Sequence, residues 1–267
     1  MTPERQLQRL SWPAVAEAAR QPGSTVLWPL GATEQHGPHL PLITDGLFAE
    51  RLADAVLAQL PATAPIWRLP LQWLGFSPEH QGFAGTLSLD AAGMIALVRS
   101  VGEQLADAGF RRLLLFNAHG GQIALLQVAA RELRTSRPQL GVLPTFLWSG
   151  APGLAARIPE PERQQGIHAG LAETSLMLHL APELVGSERR ADGLPTQPPP
   201  AGWSLEGALP AAWLSRDLSA SGVLGDPADA SAALGEQLHA DLLAGWVERL
   251  TSLLASDWPP SQPQPPA

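Results

Sequence analysis

Glu34, His36, His39 and Asp45 put four possible metal ligands into the stretch GATEQHGPHLPLITD, residues 31–45. Glu34 and His36 are two positions apart, so in an extended segment both side chains leave the same side. Asp45 opens a helical spacing of apolar residues, where it can serve as a ligand or as a carboxylate favoured at a helix N-terminus. His119 follows a buried aliphatic run in LLLFNAHGGQ and is followed by two glycines, which leave the backbone little bulk to obstruct a ligand. Asn117, the only Asn in the chain, can orient a ligand or satisfy a sharp turn. His168 and Glu173, in IHAGLAETS, are spaced to share the first turns of a helix. Each motif alone also reads as an ordinary capping or surface group. Together, three histidines (His36, His119, His168) and three carboxylates (Glu34, Asp45, Glu173) suit two divalent ions sharing one carboxylate. Such a pair, roughly 3.5–4 Å apart, polarises a carbonyl and yields hydroxide near neutral pH. Nitrogen and oxygen donors without sulfur suit zinc, manganese or iron.

The elements that must position these residues follow a strand–loop–helix–strand rhythm. Residues 25–30 read as a buried strand. A helix from Asp45 carries Leu47, Leu52, Val56 and Leu60 on one side. Residues 66–74 read as an edge or interrupted strand because of Pro70. Residues 85–89 form a short β-like segment, and Asp90 caps a helix running to about Asp107. Residues 111–116 are a buried strand, Gln122 to Arg134 a helix, and 139–148 the next strand. A loop over 150–166 leads to a helix starting near Ala169. Residues 191–212, with PTQPPP at 195–200, read as loop. Asp226 and Pro227 are expected to start the last helix, which ends near Leu254. The pattern predicts an α/β fold: a three-layer α/β/α sandwich around a largely parallel sheet. Ligands of such sheets sit outside the carboxyl ends of the strands, where loops 31–45 and 117–121 both emerge. A single domain is expected over 1–257, with a Pro-rich disordered tail at 258–267.

Composition narrows the function. In 267 residues, 45% are hydrophobic and 16% charged, with a net charge of −8. No basic run is present to hold nucleic acid or an anionic membrane. No stretch approaches the ~20 apolar residues of a spanning helix, and the polar N-terminus lacks a signal-peptide run, so a cytoplasmic location is expected. Without Cys there is no thiolate site or cysteine nucleophile, and without Lys no Walker loop or Schiff base. No G-x-S-x-G elbow occurs.

LGATEQHGPHLPLITD, SPEHQGFAGTLSL, NAHGG, HAGLAETSLML and GVLGDP resemble, in order, the signature segments of the creatininase family of metal-dependent amidohydrolases. The resemblance implies a creatininase-like sandwich, two metal ions and hydrolysis of a C–N bond through a metal-bridging hydroxide. It also implies a small-molecule amide substrate and a homo-oligomer, with a hexamer as one form. By motif, Glu34 and His119 would bind one ion, His36 the other, and Asp45 both, while His168 would move protons at the reacting amide. Creatininase has a glutamate in the segment where this chain has Gly121, and Glu173 is assigned as the substitute ligand with a catalytic part. Asn117, Gly120, Gly121, Glu79, His80 and Trp148 would line the substrate site. Gln164 lies near the place of a creatininase tryptophan. The expected activity is therefore hydrolysis of a non-peptide or cyclic amide other than creatinine. The alternatives are a peptidase of the mycofactocin branch, a formyl-amide hydrolase of the kind found in flavin-type biosynthesis, or a non-catalytic binding member of the family.

Overall fold

The computed structural model describes residues 4–150, 153–190, 199–207 and 209–260. In chain order it contains α1 (Trp12–Ala19), β1 (Thr25–Leu30), α2 (Thr44–Gln59), β2 (Ile66–Arg68), α3 (Ala91–Ala108), β3 (Arg112–Asn117), α4 (Ile123–Ser136) and β4 (Gly141–Phe146). The short α5 (Leu154–Arg157) and α6 (Glu160–Gln165) lead to α7 (Leu171–Leu180), α8 (Ser215–Leu218) and the long α9 (Ala232–Ala255).

The strands form one parallel sheet in the order β2-β1-β3-β4. Side chains alternate across it, as strand geometry requires. Leu27, Leu114 and Phe116 join one apolar cluster with α2, α7 and α9. Val26, Trp28, Leu30, Leu113 and Leu115 join a second cluster with α1, α3 and α4. Two helical layers thus cover the sheet, giving the three-layer sandwich.

Leu30 is paired with Asn117, so β1 and β3 end at the same level. The chain leaving β1 enters α2 on one face, and the chain leaving β3 enters α4 on the other. These neighbours therefore flank the switch point of the sheet, where a crevice opens.

The elements differ from the sequence reading at several places, and the loop read over 150–166 holds α5 and α6. The strand expected over 66–74 is Ile66–Arg68 at the sheet edge, followed by one bridge at Gln72; Pro70 has no N–H to continue the ladder. Residues 85–89 contribute only a bridge between Leu87 and Thr33. The last helix starts at Ala232, capped by Ser231, whose Oγ accepts from Leu234 N at 3.2 Å. Asp226 caps a local turn instead, accepting from Ala228 N at 2.9 Å. Trp258 lies beyond the expected domain end yet is tied to β3, its carbonyl accepting from Arg112 Nε at 2.5 Å. Residues 191–198 of the expected loop and 261–267 of the expected tail lie outside the described residues.

Candidate metal centre

The loop after β1 doubles back on itself: Glu34 N donates to Leu42 O at 3.0 Å, and His36 bridges Leu40. This holds Glu34 and His36 extended, with both side chains buried. His36 Nδ1 donates to the Glu34 carbonyl at 3.2 Å. Its Nε2, on the other edge of the ring, lies 3.4 Å from Asp45 Oδ1. Asp45 lies in the first turn of α2 and makes no capping bond. Its other oxygen faces His119 Nδ1 at 3.3 Å, so it stands between the two imidazoles. Glu34 Oε1 is 3.2 Å from the same His119 nitrogen.

His119 is held by its turn. Asn117 Oδ1 accepts from His119 N (2.9 Å) and Gln122 Nε2 (2.8 Å), while Asn117 Nδ2 donates to His119 O (2.7 Å). Every polar group of the Asn117 side chain is engaged in shaping this turn. On the outer side of the ring, His119 Nε2 donates to Phe76 O at 3.0 Å and lies 3.2 Å from Glu79 Oε1.

The third segment pairs with the GVLGDP stretch: His168 and Leu224 exchange backbone hydrogen bonds of 2.8 and 3.0 Å. His168 Nε2 donates to Gln35 O at 2.7 Å, which leaves Nδ1 as an acceptor 3.8 Å from Glu34 Oε1. The next residue, Ala169, takes φ 55°, a left-handed conformation that costs a non-glycine residue energy. Glu173 supports that turn by accepting from Ala169 N at 2.6 Å. Its carboxylate also lies within 4.8 Å of the donor atoms of His36 and Asp45.

His80 joins from the 3₁₀ turn Pro78–His80. Gln35 Oε1 accepts from Gly37 N, so its Nε2 donates to His80 Nδ1 at 2.8 Å. His80 therefore carries its hydrogen on Nε2, which faces Glu34 Oε1 at 3.4 Å. His39 stands apart, with Nε2 on Thr174 Oγ1 at 2.8 Å. His179 and His239 pair with each other across α7 and α9.

Electrostatics divide the histidines. Burial opposes charge on His36, but Asp45 and Glu34 outweigh it and lift its pKa to about 9. Burial likewise opposes charge on His119, which Glu34, Asp45 and Glu79 raise well above its ordinary value. His168 goes the other way: burial, then the neighbouring His36 and His80, push it well below. Burial and the Asp45 charge raise Glu173 to about 7, against the pull of His36.

Both oxygens of Glu34, Oδ2 of Asp45 and Nε2 of His36 are buried without a hydrogen-bond partner. Unpartnered buried polar atoms are costly. Here they converge with His119 and Glu173 into groups whose donor atoms can hold divalent cations. Sites expected for metal thus meet in one place.

A cavity of about 440 Å³ opens beside His168 and Glu173, walled by Ile123, Phe146, Trp148, Leu154 and Ile167. Of the residues expected to line a substrate site, Gly120 and Trp148 lie on it. Asn117 and Gly121 do not: the Asn117 amide holds the His119 turn, and Gly121 packs against Glu79. Glu79 and His80 flank Glu34 instead. Gln35, which contacts His80 and His168, and Glu206, which lines this cavity, escaped the sequence reading. Gln35 had no signal beyond its place between two candidate ligands, and Glu206 lies in a segment without periodicity.

Comparison with known proteins agrees with this geometry. The creatininase family profile, described as creatinine amidohydrolase, matches residues 8–250. A mycofactocin precursor peptide peptidase of Mycobacterium ulcerans is 36% identical over 85% of this chain and 84% of its own. A creatinine amidohydrolase of Pseudomonas putida is 30% identical over 72% and 77%. Two solved creatininases, a manganese form and a mutant of Zn-Zn type, superpose with a TM-score of 0.74 each. They are 25% and 26% identical, and each match covers 95% of this chain and 100% of the other.

Proposed function

The chain belongs to the creatininase family, and from that premise we propose that it is a metal-dependent hydrolase of an amide bond in a short peptide. The observation that carries the peptide reading is the cavity beside His168. Its volume is in the range that holds a drug-sized molecule. Its apolar walls suit the residues flanking a scissile peptide bond better than a small polar ring. The similarity to a peptidase supports the same choice, and this departs from the non-peptide amide expected from the motifs.

Glu34, His36, Asp45, His119 and Glu173 would hold two divalent ions, with Asp45 common to both. The orphaned acceptors among them fit that role, and zinc, manganese and iron all suit the donor set. Bound ions would polarise the amide carbonyl and acidify a water. Proton movement falls to His168. Its Nε2 hydrogen is committed to the Gln35 carbonyl, so Nδ1 takes the proton from the attacking water. The same nitrogen then hands that proton to the amide nitrogen as the C–N bond breaks, and a neutral amine leaves. The apolar cavity would seat the substrate and exclude bulk water.

Elemental analysis of the purified protein and of Glu34→Ala tests the metal reading, followed by mass spectrometry of a short-peptide panel with creatinine alongside. Close to two ions per chain, fewer in the variant, and peptide cleavage are expected. No bound metal after reconstitution would overturn the mechanism. Turnover of creatinine with every peptide intact would overturn the peptide assignment alone.

A further inference from the structure

We propose that Glu79 is a positioning residue for His119, and that the absence of a side chain at Gly121 is what admits it. The inference rests on the reading of His119 as a metal ligand. His119 shows two different edges. Nδ1 faces Glu34 and Asp45 at 3.2 and 3.3 Å. Nε2, across the ring, meets the Phe76 carbonyl at 3.0 Å, Glu79 Oε1 at 3.2 Å and Ser77 Oγ at 3.3 Å. A carboxylate on the outer nitrogen of a ligating histidine fixes the ring and makes the inner nitrogen a better donor to a cation. The Phe76 carbonyl can fix the tautomer by itself. The negative charge comes from Glu79.

Gly121 decides whether that carboxylate can be there. A Cβ placed on Gly121 would run into Glu79 Oε1 and lie 2.7 Å from both Glu79 Cδ and His119 Nε2. Its φ is not left-handed, so the backbone accepts other residues. The steric cost falls mainly on the Glu79 carboxylate, the end of a flexible side chain that can swing away, and in part on the edge of the His119 ring. A side chain at 121 and the Glu79 carboxylate thus exclude each other.

The test is zinc affinity, measured by chelator competition on wild type, Glu79→Ala, Glu79→Gln, Gly121→Ala and the double alanine variant, with apo-protein melting temperatures as a check on folding. Glu79→Ala should weaken zinc binding about tenfold or more. Glu79→Gln, which keeps an acceptor but not the charge, should fall between it and wild type. Gly121→Ala, which displaces the carboxylate and also crowds His119 Nε2, should bind zinc no better than Glu79→Ala, and the double variant should be no weaker than Gly121→Ala, because both substitutions remove the same contact. Wild-type affinity in Glu79→Ala would overturn the inference while leaving the metal centre standing. Losses that multiply in the double variant would overturn the coupling to Gly121. Should Gly121→Ala fail to fold, the two Glu79 variants decide the matter. A wild type that binds no zinc would overturn the metal centre and this inference with it.

Discussion

With its Nε2 hydrogen given to the Gln35 carbonyl, His168 meets the crevice as an acceptor, while His36 and His119 face carboxylates. The three imidazoles should therefore fail differently when removed. His168→Ala should keep its metal and its melting temperature and lose about 10²- to 10⁴-fold in turnover, the range of a proton-transfer group. His36→Ala should lose bound metal. Metal content and kcat measured on the same two preparations check this, and full activity in His168→Ala would refute its role. The raised pKa of His36 adds a pH dependence. In the metal-free chain it stays protonated up to about pH 9, above its ordinary 6.5, and only the neutral ring can ligate. Metal uptake at pH 7 should therefore release protons. Affinity should rise with pH by about tenfold per unit for each proton displaced. Calorimetry in two buffers of different ionisation enthalpy reads the proton count directly.

Among the helices, the crossing of α7 and α9 is the closest-fitting contact behind the centre. A Cβ on Gly235 of α9 would strike the carbonyl of Ser175 on α7 and lie 2.9 Å from His179 Cβ. Backbone has to yield there, whereas beside Gly121 only side chains stand in the way. Gly235→Ala should cost about 1–3 kcal/mol of stability by denaturant titration. Because α7 carries Glu173, its metal affinity should fall too. The elements themselves were largely legible. Aliphatic runs marked β1 and β3, and Asp90 caps α3 as read, its Oδ1 accepting from Gly93 N at 2.6 Å. The misreadings have local causes. Asp226-Pro227 has the look of a helix start, but its carboxylate closes a turn and Ser231 takes the cap. Pro70 ended a strand whose apolar pattern continued.

Taken whole, the molecule gathers residues 34–45, 79–80, 119–121 and 168–173 at one end of its sheet. The motif residues could be listed from the chain because their types announce donors. Their outer partners could not: the Gln35 carbonyl meets His168 only once the loop after β1 packs against the segment before α7, and Glu79 meets His119 only once the loop after β2 packs over the end of β3. Ligands that bind only the folded form raise its apparent stability, by about 2.7 kcal/mol at a hundred times Kd. Zinc or manganese should accordingly raise the melting temperature and a chelator should lower it. An unchanged melting temperature under both would count against a structural contribution from the ions.

β1 and β3 are parallel neighbours, yet α2, β2 and α3 come between them in the chain. Pairing them closes a long loop, the slow kind of step in folding. Glu34 leaves the first of these strands and His119 the second, so the donors converge only after that closure. Ion occupancy would thereby report on assembly: a chain that retained ions at these donors would have paired β1 with β3. In a preparation caught partway through refolding, the metal carried through a desalting column should count the molecules that completed the journey.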